Sequence, residues 1–278
     1  MTLVFACIAP HGGELIERLA TPTMARKFRK TRDGLRAIAH EVERARPGTI
    51  VISTPHNVRL WKNIGIVTAR NSTGTLRASP RNKASVSLRA RCDVDFANRL
   101  LRRSSRNLPV VGVNYGTSEG AGSDLAMDWG TLVPLWFMMA RCREKPRVVI
   151  VTPSREIPLR QNFEFGRKIA EEAKAERKRV IFVASADQAH AHKKNGPYGF
   201  SERAGEYDSL VVDAIRRNQI SEIMKFDPDL IESAKPDSLW QMTMLAGVAD
   251  RVKLESQLIS YDAPTYYGMI CASFRRVR

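Results

Sequence analysis

The chain has 278 residues, 43% of them hydrophobic, and a formal net charge of +16 at a pI near 10.1. That length suits one large α/β domain, and no break in composition calls for a second, so residues 1–278 read as a single domain. No stretch approaches the roughly 20 apolar residues of a membrane helix, and Cys7, Cys92, Cys142 and Cys271 are too scattered for a zinc ribbon or a disulfide framework.

The first element is the apolar run MTLVFACIAP, which lacks a basic leader and reads as a strand rather than a signal peptide. With four unpaired cysteines, a reducing, cytoplasmic location is the expectation. Strand-like runs follow at 49–54, 64–69, 109–114, 147–152 and 179–184, with the first at 2–9. Helical patterns at 22–46, 159–177 and 203–218 lie between most of them. This alternation predicts a central sheet, mostly parallel, with helices on both faces. Residues 71–87 are rich in Ser, Thr, Arg and Asn and read as an exposed loop or hairpin. After Lys253 two β-rich runs flank a Pro-containing turn, so an antiparallel hairpin closes a mixed sheet.

The positive charge concentrates in 26–36 and in 77–106. Neither stretch interleaves aromatics that stack on bases, and no helix-turn-helix, zinc-finger or RNP pattern is present. Nucleic acid is therefore not the expected partner. The basic stretches read as a solvated outer face, whose field would draw anionic aromatic acids toward a site. His40 falls in the basic helical segment and reads as a surface residue.

Three of the five histidines leave strands in the same way. His11 ends VFACIAPH, His56 ends TIVISTPH, and VIFVASADQAH delivers His190. Carboxyl ends of strands in an α/β sheet are where ligands bind, and imidazoles gathered there suggest a metal site or an acid/base centre. Gly12 and Gly13 clear space beside His11 and permit positive φ, and Pro55 stiffens the exit that carries His56. Asp187 and His192 flank His190, which puts acid and base together. Two His and one carboxylate make the facial triad of non-haem iron(II) enzymes, with coordination positions left open. Asp237, Glu232 and Glu14 are the candidate carboxylates, and Asp237 could equally cap the apolar helix that follows it. Cys7, Cys271, Met242 and Met244 read as core.

In chain order, APHGG, STPH, MDWGTLVPLWF, SADQAHAH, GPYGF followed by Glu206-Tyr207-Asp208, the helix near Asp237 and the closing APTYYGM resemble one family. It is the class III extradiol ring-cleavage dioxygenases of the protocatechuate type, catalytic subunit, with which Memo-like proteins share a fold. The resemblance implies Fe2+ held by His11, His56 and Asp237, with His190 as acid/base residue assisted by Asp187. It also implies a catechol or aminophenol substrate opened by dioxygen. Where the family commonly has Asp-His-Gly, this chain has Asp128-Trp129-Gly130, so an indole that cannot shuttle protons replaces an imidazole and could wall a planar ring. Tyr198, Tyr266 and Tyr267 resemble the family's pocket rim, with Tyr198 as a substrate contact. A homo-oligomer is expected, and a small partner subunit is left open. The competing readings are a zinc-dependent hydrolase on this scaffold and a Memo-like redox or protein-interaction module.

Overall fold

A computed structural model of the chain describes residues 3–78, 83–114 and 124–277. In chain order the elements begin with β1 (Leu3–Ala9), α1 (Pro22–Lys27), α2 (Arg29–Ala45), β2 (Thr49–Ser53), β3 (Ile64–Val67), β4 (Asn71–Arg77) and β5 (Ser85–Arg91). The middle of the chain supplies α3 (Val94–Ser104), β6 (Val110–Val113), β7 (Asp124–Ala126), α4 (Trp129–Arg141), β8 (Arg147–Thr152), α5 (Leu159–Ala175) and β9 (Val180–Ser185). It closes with α6 (Arg203–Arg216), α7 (Pro228–Ala234), α8 (Leu239–Arg251), β10 (Leu254–Asp262) and β11 (Met269–Arg276).

Eight strands form one mixed sheet in the order β10-β11-β1-β9-β2-β8-β3-β6. The four central strands β1, β9, β2 and β8 are mutually parallel. Their runs are apolar because helices cover both faces, and every residue of β9 and β2 is buried. The expected closing hairpin is present, β10 pairing with β11 and β11 with β1, both antiparallel. On one face Leu35, Ile38 and Val42 of α2 and the apolar side of α4 form a core; on the other α3, α5, α6 and α8 form a second. The spacing of those α2 residues, one helical turn and two apart, is why a basic segment still folds as a buried helix.

The structure departs from the sequence expectation in places. Residues 22–46 are two helices rather than one, because Phe28 turns inward and is fully buried at the break. The 71–87 segment is a hairpin that runs on to Arg91, and with β7 it makes a separate three-stranded sheet, β5-β4-β7. The basic outer face is partly a structural device: Arg99 and Arg103 of α3 both reach Glu172 of α5, a carboxylate with 2% side-chain exposure, at 2.6 and 3.2 Å. His40 is exposed, as expected, beside Glu43. All four cysteines are buried and unpaired. No described helix is long and apolar enough to cross a membrane.

Candidate metal centre

The parallel register delivers the three histidines to one edge. Ala9 pairs with Ser185, and Ser53 pairs with Ala184, so β1, β9 and β2 end side by side and their next residues enter the same space. The start of α8 meets them from the opposite side. It is held close because α5 and α8 cross with backbones nearly touching at Gly166 and Gly247, where a Cβ would collide with the carbonyls of Met244 and Phe163. Asp237, just before α8, thereby reaches the histidines.

His11 Nε2 lies 3.0 Å from His56 Nε2. Asp237 Oδ2 lies 3.4 Å from the first and 3.2 Å from the second. Two donors about 2.1 Å from a metal are about 3.0 Å apart at a right angle and about 3.4 Å apart at a tetrahedral one. All three separations fall in that interval. His11, His56 and Asp237 are the one set of His, Cys, Asp or Glu residues among the described residues with donor atoms arranged to hold a metal ion. Asp237 Oδ1 is buried with no hydrogen-bond partner, a cost that a cation would relieve. The residues therefore fit a metal, and two imidazoles with one carboxylate suit iron(II) or zinc with positions open for substrate.

Hydrogen bonds behind the ring nitrogens set the tautomers. Ser185 Oγ donates its single proton to the Gly130 carbonyl, so toward His11 Nδ1, 3.0 Å away, it can only accept. Nδ1 of His11 therefore carries the hydrogen and Nε2 offers a lone pair to the centre. His190 Nδ1 donates to the Gln188 carbonyl at 2.8 Å, which leaves Nε2 as an acceptor 4.0 Å from Asp237 Oδ2. His56 stacks on Trp129, ring centroids 4.2 Å apart. Its loop is tied to the start of α4 by Asp128, which accepts from Thr54 Oγ1 at 2.6 Å, Asn57 Nδ2 at 2.9 Å and Thr131 N at 3.0 Å.

The carboxylates at the centre favour positive charge there, a proton on His11 or a cation in its place. Burial alone would lower the His11 pKa, but the Asp187 and Asp237 carboxylates override it and raise the value to about 9. Burial alone would raise the Asp237 carboxyl, but His11, His56 and His190 hold it far below the ordinary carboxylate range. Asp187 is pushed up by burial, with Asp237 adding to the effect.

Most of the residues singled out from sequence meet here. Tyr198, Tyr266 and Tyr267 surround His190 with ring centroids 5.3, 5.9 and 5.5 Å away. Tyr198, 55% exposed, lines the cavity beside the centre, whereas Trp129, 46% exposed, does not line it and reaches the centre only through its stack on His56. Asp187 sits against His11, accepting its backbone N–H at 3.0 Å, and makes no hydrogen bond with His190. Asp237 does not cap α8; the residue at that position is Ser238, and neither makes a side-chain cap. Glu232 pairs with Lys235, and Glu14 accepts from Tyr267 Oη at 3.3 Å, so neither completes the triad. Gly12 is needed for the close approach of Tyr267 and Met269 and not for positive φ, since its φ is −57°.

Three supports were not apparent from sequence. Ser185 is one. Asp208 is another: fully buried, it accepts from Ala189 N, His192 Nε2 and Tyr261 Oη, each at 2.9 Å, and so clamps the chain on both sides of His190. The third is the Gln188, Ser238 and Tyr207 chain behind the same loop. Its members lie 50 and 31 residues apart along the chain, so no local pattern announces it.

A cavity of about 480 Å³ opens onto the centre, lined by His56, Arg155, His190, Tyr198, Asp237 and Trp240 among others. That volume suits a ligand the size of one substituted aromatic ring.

Comparison with known proteins bears on this geometry. The family described as the catalytic LigB subunit of aromatic ring-opening dioxygenase matches residues 5–271. Protein CA_C1420 of Clostridium acetobutylicum is 20% identical over 238 residues, covering 85% of this chain and 50% of that protein. The chain thus spans about half the length of that relative. The crystal structure of uncharacterized protein JW3007 from Escherichia coli K12 superposes with a TM-score of 0.60 at 15% identity, over 97% of this chain and 99% of that one. At that identity the likeness is one of fold.

Proposed function

This chain belongs to the family of catalytic LigB subunits of aromatic ring-opening dioxygenases, and from that premise we propose that it is a non-haem iron(II) extradiol dioxygenase acting on a catechol or aminophenol. The observation that carries the reading is the convergence of His11 Nε2, His56 Nε2 and Asp237 Oδ2 within 3.4 Å of one another, beside an aromatic-lined cavity with His190 at its wall.

Iron(II) held there would supply a Lewis acid for the two ring oxygens and a route for electrons from the ring to dioxygen. The protein residues supply the rest. His190 Nε2, left as an acceptor by the bond from Nδ1 to Gln188, takes a proton from a substrate hydroxyl and returns it to an oxygen of the opened product. Tyr198, Tyr266 and Tyr267 limit where that imidazole can swing. Trp129 stacks on His56 and holds that ring in place, without proton transfer of its own. Asp187 accepts the His11 backbone N–H and so fixes the strand exit that carries that imidazole, which makes it a positioning residue. In the reaction the carbon–carbon bond beside the diol breaks and both atoms of dioxygen enter the product. The four buried thiols suit a reducing compartment, so we place the reaction in the cytoplasm, carried out by a homo-oligomer.

The test is metal content and oxygen uptake of anaerobically purified protein reconstituted with iron(II), over a panel of catechols and aminophenols. Stoichiometric iron that is lost in His11→Ala, with uptake that collapses in His190→Ala while iron is kept, is the expected result. Stoichiometric zinc without uptake on any diol would point instead to hydrolysis. Folded protein that binds neither metal would point to an interaction module.

A further inference from the structure

A second gathering of charge lies at the amino-terminal end of β8, the opposite end of the parallel strands from the metal centre. Arg147 opens β8, and the isolated parallel bridge between Cys92 and Val148 sets Arg91, the last residue of β5, beside it. Arg91 pairs across the hairpin with Asn71, the residue after Arg70, and the Cys92 amide donates to the Arg70 carbonyl at 2.8 Å. Register thus gathers three guanidinium side chains, and Arg70, Arg91 and Arg147 all line one cavity of about 470 Å³.

Among the described residues no carboxylate forms an ion pair or hydrogen bond with any of the three. The nearby acids are engaged elsewhere. Asp93 accepts from Thr49 Oγ1 at 2.6 Å and meets Lys178 at 3.5 Å, and Asp124 is held by Thr73 and Arg89. Asp95 alone, among the described residues of the cavity wall, brings a negative charge to it. Like charges on neighbouring strands repel, so this wall keeps an excess of positive charge that an anion would offset. Arg91 and Arg147 also line an adjoining cavity of about 530 Å³, whose wall is otherwise largely apolar, with Leu88, Ala90, Trp136, Met139 and Pro146. The one other lysine there, Lys145, is turned to the carbonyls of Met139 and Cys142.

We propose that these two adjoining cavities form a second ligand site, separate from the metal centre, for a phosphate monoester with an aromatic body. The phosphate sits among Arg70, Arg91 and Arg147, and the body lies against Leu88, Trp136 and Met139. The proposal stands independently of the reaction assigned to the metal centre. Forked guanidinium donors match the oxygens of a phosphate, and several of them together favour a dianion over a monoanion. The half-buried indole of Trp136 offers a flat apolar surface for a ring. A purely polar anion would leave the apolar cavity unfilled and a neutral ring would leave the arginines unmet, so the pair of cavities selects a ligand with both parts.

The test is calorimetric titration of phenyl phosphate, phenyl sulfate and methyl phosphate into metal-free protein at pH 8, where the phosphate esters are dianions and the sulfate ester is not. The wild type is expected to bind phenyl phosphate about tenfold more tightly than either of the others. Arg91→Gln and Arg147→Gln should each weaken phenyl phosphate about tenfold. Ala140→Glu, which sets a carboxylate on the wall of the apolar cavity, should abolish its binding. These three positions are exposed, so the variants keep the fold. His11→Ala, at the metal centre, and Lys30→Gln, which removes one positive charge at the start of α2, should leave binding unchanged. Methyl phosphate or phenyl sulfate bound as tightly as phenyl phosphate, or binding that survives both arginine variants, would overturn the proposal. So would loss of binding in His11→Ala, which would place the ligand at the metal centre, or weakening in Lys30→Gln equal to that in the arginine variants, which would show a diffuse field in place of a site.

Discussion

Removing the Ser185 hydroxyl tests whether the centre depends on the groups behind it as well as on its ligands. Ser185 is fully buried, accepts the His11 Nδ1–H bond at 3.0 Å and donates to the Gly130 carbonyl. In Ser185→Ala both partners lose their hydrogen bond away from water, at about 1–3 kcal/mol each, and with partial relaxation a net loss of about 2–4 kcal/mol follows. For a chain of this size each kcal/mol is worth about 2–4 °C, so the metal-free melting temperature should fall by about 4–16 °C. Loss of an outer hydrogen bond to a ligating imidazole typically weakens metal binding about 10–100-fold, since the ring can rotate and adopt the other tautomer. The assay pairs thermal unfolding of metal-free protein with a competitive metal titration, on Ser185→Ala and on the control Ser87→Ala in the separate three-stranded sheet. A drop in melting temperature with metal affinity unchanged would refute the claim that this hydroxyl fixes the His11 tautomer.

Other predictions follow from the same geometry. Asp237→Asn keeps the shape but removes the anionic ligand and should leave the protein without stoichiometric iron after desalting, read by metal analysis. Trp129→Ala removes a ring stacked 4.2 Å from His56, worth about 0.5–1.5 kcal/mol. Metal affinity should then fall about 2–10-fold in the same titration. Gly247→Ala places a methyl against the Phe163 carbonyl and must push α5 from α8, so a loss of at least about 1–3 kcal/mol in denaturant unfolding is expected, together with weaker metal binding as Asp237 retreats. Burial pushes the Cys92 and Cys271 thiols up to about 12. A thiol reagent at pH 8 should therefore react slowly with folded protein and with all four cysteines once it is unfolded. For the same reason stability should fall as pH rises above the ordinary thiol value of 9.0, because only the unfolded chain releases those protons there.

The sequence displayed what local patterns can carry. Apolar runs ending in histidine marked β1 and β2, a third reached His190, and parallel pairing then brought these ends together without further instruction. Asp237 was harder, since an acid before an apolar helix usually caps it, and only its resemblance to a family motif favoured a ligand role. Gly12 was read as clearing space and as permitting positive φ; the structure keeps the steric part alone, and the space goes to Tyr267 and Met269 from the far end of the chain. Arg155, which lines the cavity and lies over the Trp240 ring, went unread because Ser-Arg-Glu after a strand looks like any charged loop, and Trp240 lies 85 residues on. The separate β5-β4-β7 sheet escaped for a similar reason: β7 is three residues long, and β4 mixes polar residues with few apolar ones. Ser185 and Asp208 act through partners 16 to 174 residues away along the chain, so even where Asp208 stood in a quoted motif its role was not legible.

The central claim is that this centre opens an aromatic ring with dioxygen, and the most direct test is the mass of the product formed by iron(II)-loaded protein from a carboxylated catechol under isotopically labelled dioxygen. The account predicts a ring-opened product carrying both labelled atoms. A quinone without label, or a product whose new oxygen comes from water, would contradict it.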